Sequence, residues 1–444
     1  MFTGEELRHN RCNYNWKKKS MNFLGSLVLL LALSVSVHDS TAFSPSNTNI
    51  LTASDKENVI VLKLMKEDDN NQDRREFLSN VARTAATATT TSGGILMNGG
   101  RPVRAAMVET NNNKKLALPA IGLGAWAWGD SIFWGYNPKQ DEELHKVFDY
   151  AVEKASASSS SVLFDTAELY GLGRSESLLG DFRKDHDTNV IMASKFAALP
   201  FRTKAKDVVK ACEASMKRLG GQPIDLYQIH FPNAWSNEDY WDGLAQAYEK
   251  GYVKAVGVSN YGSDALRACH SFLAERNIPL TSNQIQLSLL YRHPITNGLL
   301  DTCKELNVDV LAYSPLALGF LTGKYDSLDN LPSGPRNALG KQLLADDNFT
   351  NLISIMKEIA SKHDGGTVSQ VALNWTRAKS TIPIPGARTL RQVQQNYGAL
   401  DWTLTTEELQ QLDKASSQIT SFVQPDKSPF PKEDINTGLK MFDS

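Results

Sequence analysis

From Lys115 onward, short apolar runs alternate with segments whose apolar residues recur every three or four positions. The short runs read as buried strands and the periodic segments as amphipathic helices. The pattern predicts strands over 161–165, 189–195, 224–230, 253–259, 280–287, 309–314 and 381–385. It predicts helices over 141–154, 175–184, 205–219, 237–250, 263–276, 297–306, 348–362, 368–378, 390–400 and 406–416. In the third of these helices, Val208, Val209, Ala211, Cys212, Met216 and Leu219 fall on one face. A first strand enters within 115–129, and a long loop is expected from Ser314 to about Ala345.

Strict strand–helix alternation implies a parallel sheet, because parallel neighbours need a crossover between them. Eight such units over this length imply a closed (β/α)8 TIM barrel rather than an open sheet. The barrel is expected over 111–420, followed by a tail over 421–444.

Composition changes the picture only before the barrel. Lys17, Lys18 and Lys19 precede the apolar run Phe23 to Leu33, and Ser40-Thr-Ala42 supplies small residues for cleavage. That is the layout of a signal peptide over 1–42, with a membrane anchor as the alternative and Met21 as an alternative start. A disordered, transit-like leader is expected over 43–110, rich in Ser, Thr and Ala. No stable membrane insertion is expected of the mature protein. The charge is nearly balanced, 47 basic against 49 acidic residues, with no long basic block in the barrel, so nucleic acid is not an expected partner. Cys12, Cys212, Cys269 and Cys303 are widely spaced and read as reduced thiols. No His-x-x-x-His pair is present and no metal site is expected. Oligomeric state is not legible.

Chemistry in such barrels belongs to the carboxyl ends of the strands. Those ends carry Asp165 with Tyr170 just beyond it, Lys195, His230, Ser259-Asn260, Gln284 and Tyr313-Ser314. Each one alone reads more simply as a solvated, capping or core group. Together a phenol, an ammonium, a carboxylate and an imidazole make an acid–base set. A free phenol, with a pKa of about 10, is a weak proton donor at neutral pH. A neighbouring ammonium is expected to lower that value, with Asp165 holding Lys195 in place and His230 positioning a carbonyl. Protonating a developing alkoxide implies hydride delivery to carbonyl carbon, which needs a cofactor. Gly122-x-Gly124-x-x-Ala127 matches a dinucleotide fingerprint poorly, since an aromatic loop follows where a helix should open. Trp126, Trp128, Phe133 and Trp134 read instead as a pocket rim suited to a flat or apolar carbonyl compound.

The chain closely resembles the aldo/keto reductase superfamily. The motifs are Phe-Asp-Thr-Ala-Glu-Leu-Tyr170-Gly, Ser-Lys195-Phe, Asp-Leu-Tyr-Gln-Ile-His230, Val-Gly-Val-Ser259-Asn260-Tyr, Asn-Gln284-Ile, Ala-Tyr313-Ser-Pro-Leu-Ala and Ile-Pro-Ile-Pro-Gly386-Ala-Arg388. They occur in family order, and Ala-Ala-Leu-Pro-Phe-Arg202 looks like the chloroplast members of plants. The resemblance implies a catalytic tetrad of Asp165, Tyr170, Lys195 and His230, with Tyr170 as general acid. It implies that Ser259, Asn260 and Gln284 hold a nicotinamide carboxamide and that Tyr313 stacks on the ring. Ser314, Leu316, Gly319 and Lys324 then cradle a pyrophosphate, with Arg336 as a clamp. Gly386, Arg388, Gln392, Gln395 and Asn396 match an adenosine and 2′-phosphate site, which favours NADPH as cofactor; a cation beside a helix start suits a phosphate on physical grounds too.

The expected activity is NADPH-dependent reduction of an aldehyde or ketone to an alcohol. The alternative is a non-catalytic or redox-sensing auxiliary subunit on the same fold, or a thylakoid-associated scaffold. Ala42-Phe43-Ser-Pro resembles the junction of bipartite plastid presequences in algae with secondary plastids, pointing to a chloroplast, with secretion as the alternative. Arg74-Arg75-Glu-Phe-Leu resembles a twin-arginine signal, which keeps the thylakoid lumen open; a nicotinamide cofactor favours the stroma.

Overall fold

In the computed structural model, which describes residues 115–419 apart from 132, 187–189, 200, 234–235 and 335, eight parallel strands pair in sequence order. They are β1 (Gly122–Gly124), β2 (Val162–Asp165), β3 (Val190–Phe196), β4 (Leu226–Ile229), β5 (Val256–Ser259), β6 (Leu280–Gln286), β7 (Asp309–Tyr313) and β8 (Ile382–Ile384). The sheet closes on itself: a parallel bridge joins Gly124 to Gly386, and the Gly124 amide donates to Pro385 O at 3.0 Å. This is a (β/α)8 TIM barrel, and closure leaves no open edge strand.

Helices follow the strands. They are α1 (Asp141–Ala157), α2 (Arg174–Phe182), α3 (Ala205–Arg218), α4 (Asn237–Glu249), α5 (Ser263–Ala274), the short α6 (His293–Thr296) and α7 (Leu299–Glu305), α8 (Arg336–Leu344), α9 (Asp347–Lys362), α10 (Val368–Ala378), α11 (Leu390–Tyr397) and α12 (Thr406–Ser417). Local sequence explains their starts. Asn137 and Gln140 form a capping box ahead of α1, whose first turn carries Asp141, Glu142 and Glu143 against the helix dipole. Thr367 with Gln370, and Thr405 with Glu408, do the same for α10 and α12.

The strands are buried on both faces, as a barrel wall must be. Alternate residues divide between two cores. Leu163, Ile191, Ala193, Leu226, Ala255, Leu311 and Ile384 fill the barrel interior, with Leu116 and Leu118 packed against them. The intervening residues face the helices; Phe148 of α1 stacks on Phe164 of β2 at 4.3 Å. Each such fully buried aromatic contributes roughly 1.5–3 kcal/mol. Register then sets the functional layer: Lys195 lies opposite Gln228, and Ser259 opposite Gln284.

Two expectations change. The first strand is only three residues long, because the chain turns at Ala125. The expected loop after β7 contains 3-10 turns over Ala317–Thr322 and Leu328–Asn330 and the helix α8. Leu339, Gly340 and Leu343 of α8 are buried; a Cβ at Gly340 would press on Leu331 and Phe320. Gly and Pro around position 334 hide this helix from pattern reading. The leader over 1–42 and 43–110 and the tail over 421–444 lie outside the described residues. Among the described residues, no helix is long and apolar enough to cross a membrane.

Candidate active site

The ends of β2, β3, β4 and β6 bring the expected polar side chains into contact. Lys195 Nζ is fully buried and donates to Asp165 Oδ2 at 2.7 Å and to Thr166 O at 2.8 Å. Gln284 Nε2 donates to the other carboxylate oxygen, Asp165 Oδ1, at 2.7 Å. Asp165 is therefore held from two sides and fixes the ammonium. Lys195 Nζ stands 5.1 Å from the centre of the Tyr170 ring. Tyr170 in turn meets the His230 ring edge-on at 5.8 Å.

The electrostatics depart from expectation at Tyr170. The phenol is pushed well above its ordinary range, first by burial and then by the Asp165 carboxylate. Any lowering by Lys195 is outweighed by burial and by the Asp165 carboxylate, which both raise the phenol. Burial also lowers Lys195, against the upward pull of Asp165. His230 is driven well below the usual imidazole range by burial first and by Lys195 second, so it is neutral at physiological pH. Its Nδ1 is buried with no hydrogen-bond partner among the described residues.

The loop carrying Tyr170 is fixed by residues that sequence reasoning did not single out. Glu168 accepts from the Ala197 amide at 2.6 Å and from Arg202 Nη1 at 2.8 Å, tying the loop after β2 to the loop after β3. Glu176 of α2, fully buried, accepts from Ser194 and pairs with Arg218 at 2.6 Å. Both tethers join residues far apart in the chain, which no local pattern reveals; a Glu inside an apolar context was the one available signal. Gly171 adopts φ +57°, and a Cβ there would overlap the Gly129 carbonyl. Only glycine lets the chain pass that close.

On the far side of the mouth, Asn260 sits at φ +62° and donates to His230 O and to Ser259 Oγ, both at 3.1 Å. Ser259 Oγ donates to Gln284 O at 2.8 Å, and Tyr313 Oη donates to Asn260 Oδ1 at 2.9 Å. Ser314, Ala317, Leu318 and Gly319 all have positive φ, so the turn after β7 curls around and is followed by exposed Lys324. Leu316 is half-buried beside it. Arg336 donates to Leu318 O at 3.1 Å and lies 4.8 Å over the Trp134 ring. Arg388 donates to Trp134 O at 2.8 Å, and its own amide donates to Gln392 Oε1 at 2.7 Å. Among the described residues neither arginine is ion-paired to a carboxylate, and Arg336 lowers the Arg388 pKa after burial has done so. Asn396 donates to Gly386 O at 3.3 Å, while the Gln395 carbonyl accepts from Gln370 at 3.1 Å, a packing contact.

The aromatic rim divides. Trp126 stacks on Phe133 at 5.0 Å and lies 6.2 Å from the Tyr170 ring. Its indole N–H donates to Asp130 at 2.9 Å. Trp134 crosses Trp126 edge-on at 5.5 Å and Phe133 at 5.2 Å, and lies beneath the two arginines. Trp128 does not belong to the rim. It is fully buried between the barrel wall and the helices, against Phe164 and Phe182, and donates to Ala387 O at 2.8 Å. A Trp in a glycine-rich loop looks the same in sequence whether it lines a pocket or plugs the wall behind it.

Comparison with known proteins agrees with this architecture. Residues 120–417 match the model of the aldo/keto reductase family. A chloroplastic pyridoxal reductase from Arabidopsis thaliana is 42% identical over 321 residues, covering 68% of this chain and 84% of that protein. A solved aldo-keto reductase from Klebsiella pneumoniae, in complex with NADPH, is 26% identical with a TM-score of 0.53, covering 69% of this chain and 95% of that one. A thermostable aldo-keto reductase bound to the inhibitor epalrestat is 28% identical with a TM-score of 0.54, covering 67% of this chain and 95% of that one. The chain belongs to the aldo/keto reductase family, a family of oxidoreductases.

Proposed function

We propose that this protein is an NADPH-dependent carbonyl reductase of the plastid, and that pyridoxal or a comparably flat aldehyde is its substrate. The observation that carries the chemistry is a phenol flanked by a buried, carboxylate-anchored ammonium and a neutral imidazole. The residues across the mouth fit the cofactor: a left-handed turn followed by exposed Lys324, and two guanidiniums without carboxylate partners among the described residues. Asn260, Ser259, Gln284 and Tyr313 would hold the nicotinamide end. Ser314, Leu316, Gly319 and Lys324 would border the pyrophosphate, with Arg336 closing over it. Gly386, Arg388, Gln392 and Asn396 would take the adenosine phosphate, with Gln395 behind them. Bound NADPH supplies the hydride that a carbonyl carbon accepts.

The chain's own groups supply the proton. The high Tyr170 pKa keeps the phenol protonated until an alkoxide, a stronger base than phenolate, forms beside it. Tyr170 Oη then releases its proton to that oxygen. The Lys195 ammonium stabilises the phenolate left behind, and Asp165 keeps the ammonium aimed. Neutral His230 is a hydrogen-bond donor that orients the carbonyl without adding charge. Trp126, with Phe133 stacked on it, presents a flat wall to a planar aldehyde. A plastid location is supported by the Ala42-Phe43 junction and by the chloroplastic relative.

The test is carbonyl-dependent oxidation of NADPH and of NADH across pyridoxal, dicarbonyls and lipid-derived aldehydes. Arg388→Ala is expected to raise the KM for NADPH by about tenfold or more, from the loss of a charge-assisted contact, while leaving the KM for NADH nearly unchanged. Equal effects on both cofactors would remove Arg388 from the phosphate site. No turnover with any carbonyl would favour the auxiliary-subunit reading.

A further inference from the structure

On the outer face of the barrel, His145 and Asp149 of α1 meet Asp185 and His186, which follow α2. His186 Nε2 lies 2.8 Å from Asp149 Oδ1. His145 Nε2 lies 3.4 Å from the same oxygen and 3.7 Å from Asp185 Oδ2. One donor atom from each of His145, Asp149 and His186 falls within 4.8 Å of the others. His145 Nε2 is closed off from solvent and makes no hydrogen bond among the described residues. Its distances to the two carboxylates are too long for a good hydrogen bond. The 3.4 Å separation from Asp149 matches the ligand–ligand edge of a tetrahedron with metal bonds of about 2.0–2.2 Å, which is about 3.3–3.6 Å. The imidazoles are also held in orientation. His145 stacks on Phe182 at 4.5 Å, and His186 packs on Phe148 at 5.4 Å.

We propose that His145, Asp149 and His186 form a binding site for a divalent transition ion of the Zn²⁺ class. Two imidazoles and a carboxylate suit that ion's borderline softness and leave a fourth coordination position open. The ion would bridge α1 to the segment entering β3, the strand that carries Lys195, and so would act on stability rather than on the reaction. The sequence expectation of no metal site rested on the absence of a His-x-x-x-His pair. Here the ligands come from two segments 37 residues apart that only the fold brings together.

Full-length protein without an affinity tag, stripped with EDTA, is titrated with zinc sulfate against a chromophoric chelator of about micromolar affinity. Wild type is expected to withhold one equivalent more than His145→Gln/His186→Gln, and one more than Asp149→Asn, a near-isosteric variant that spares the fold. Asp181→Asn, an exposed acid of α2 paired with Lys184, is expected to retain zinc like wild type. Zinc is expected to raise the Tm of wild type and not that of the ligand variants, which separates the folded site from scavenging by His9, Cys12 and His38. Equal zinc retention in wild type and both ligand variants overturns the site, as does a zinc-induced Tm rise that persists in the variants.

Discussion

His230 shows how a single side chain can take an electrostatic environment that its sequence position only hints at. A histidine at a strand end is legible, and so is its company of Asp165, Tyr170 and Lys195. Its protonation state is not, because that depends on burial and on an ammonium supplied by another strand. The same holds for Tyr170, whose pKa moves opposite to the direction expected from Lys195 alone. Trp128 marks the other boundary, since nothing local separates a rim tryptophan from one in the wall. The depressed His230 pKa has a thermodynamic consequence. Below about pH 6.5 the unfolded chain binds a proton that the folded chain refuses, so stability is present above that pH and falls as the pH drops. His230→Gln is expected to remove this slope, worth at most about 1.4 kcal/mol per pH unit. Urea unfolding between pH 7 and pH 5 checks it; parallel pH profiles for wild type and variant would assign the slope to other groups.

At the scale of elements, the alternation of strands and helices was readable because each strand is buried on both faces and each helix on one. What escaped were the ties between elements. Glu168 and Arg202 lie 34 residues apart, and Glu176 and Arg218 lie 42 apart. Both pairs are largely buried, and they lock the loop after β2 to β3 and α3 around Tyr170. Removing one partner of such a pair leaves an uncompensated charge and costs about 3–5 kcal/mol. Glu168→Ala is expected to destabilise by that amount in denaturant titration and to lower turnover with it. Glu168→Gln, which still offers an oxygen to the Ala197 amide, is expected to lose less. If both variants unfold like wild type, the tether does not hold the loop.

Across the whole molecule, two closures make the site possible. The first joins β8 to β1 through Gly386 and Gly124, which closes the ring of strands. The second is α12. Its Asp413 accepts from Trp375 and Lys379 and is held by Arg292, while Leu412 and Ala415 cover a second core with Phe349, Leu352 and Met356. A chain ending before Thr406 is expected to expose that core, bind a hydrophobic dye and lose its cooperative thermal transition; an unchanged transition would show that α12 is dispensable. Both closures hold the strand-end constellation in one place, and the central claim is that its phenol is the proton donor in carbonyl reduction. Full-length wild type and Tyr170→Phe, each first shown to bind NADPH equally by fluorescence titration, are compared for pyridoxal-dependent NADPH oxidation. Loss of the general acid is expected to lower turnover by about 10²–10⁴-fold in the variant with cofactor affinity intact. Equal turnover in the two proteins would contradict the account.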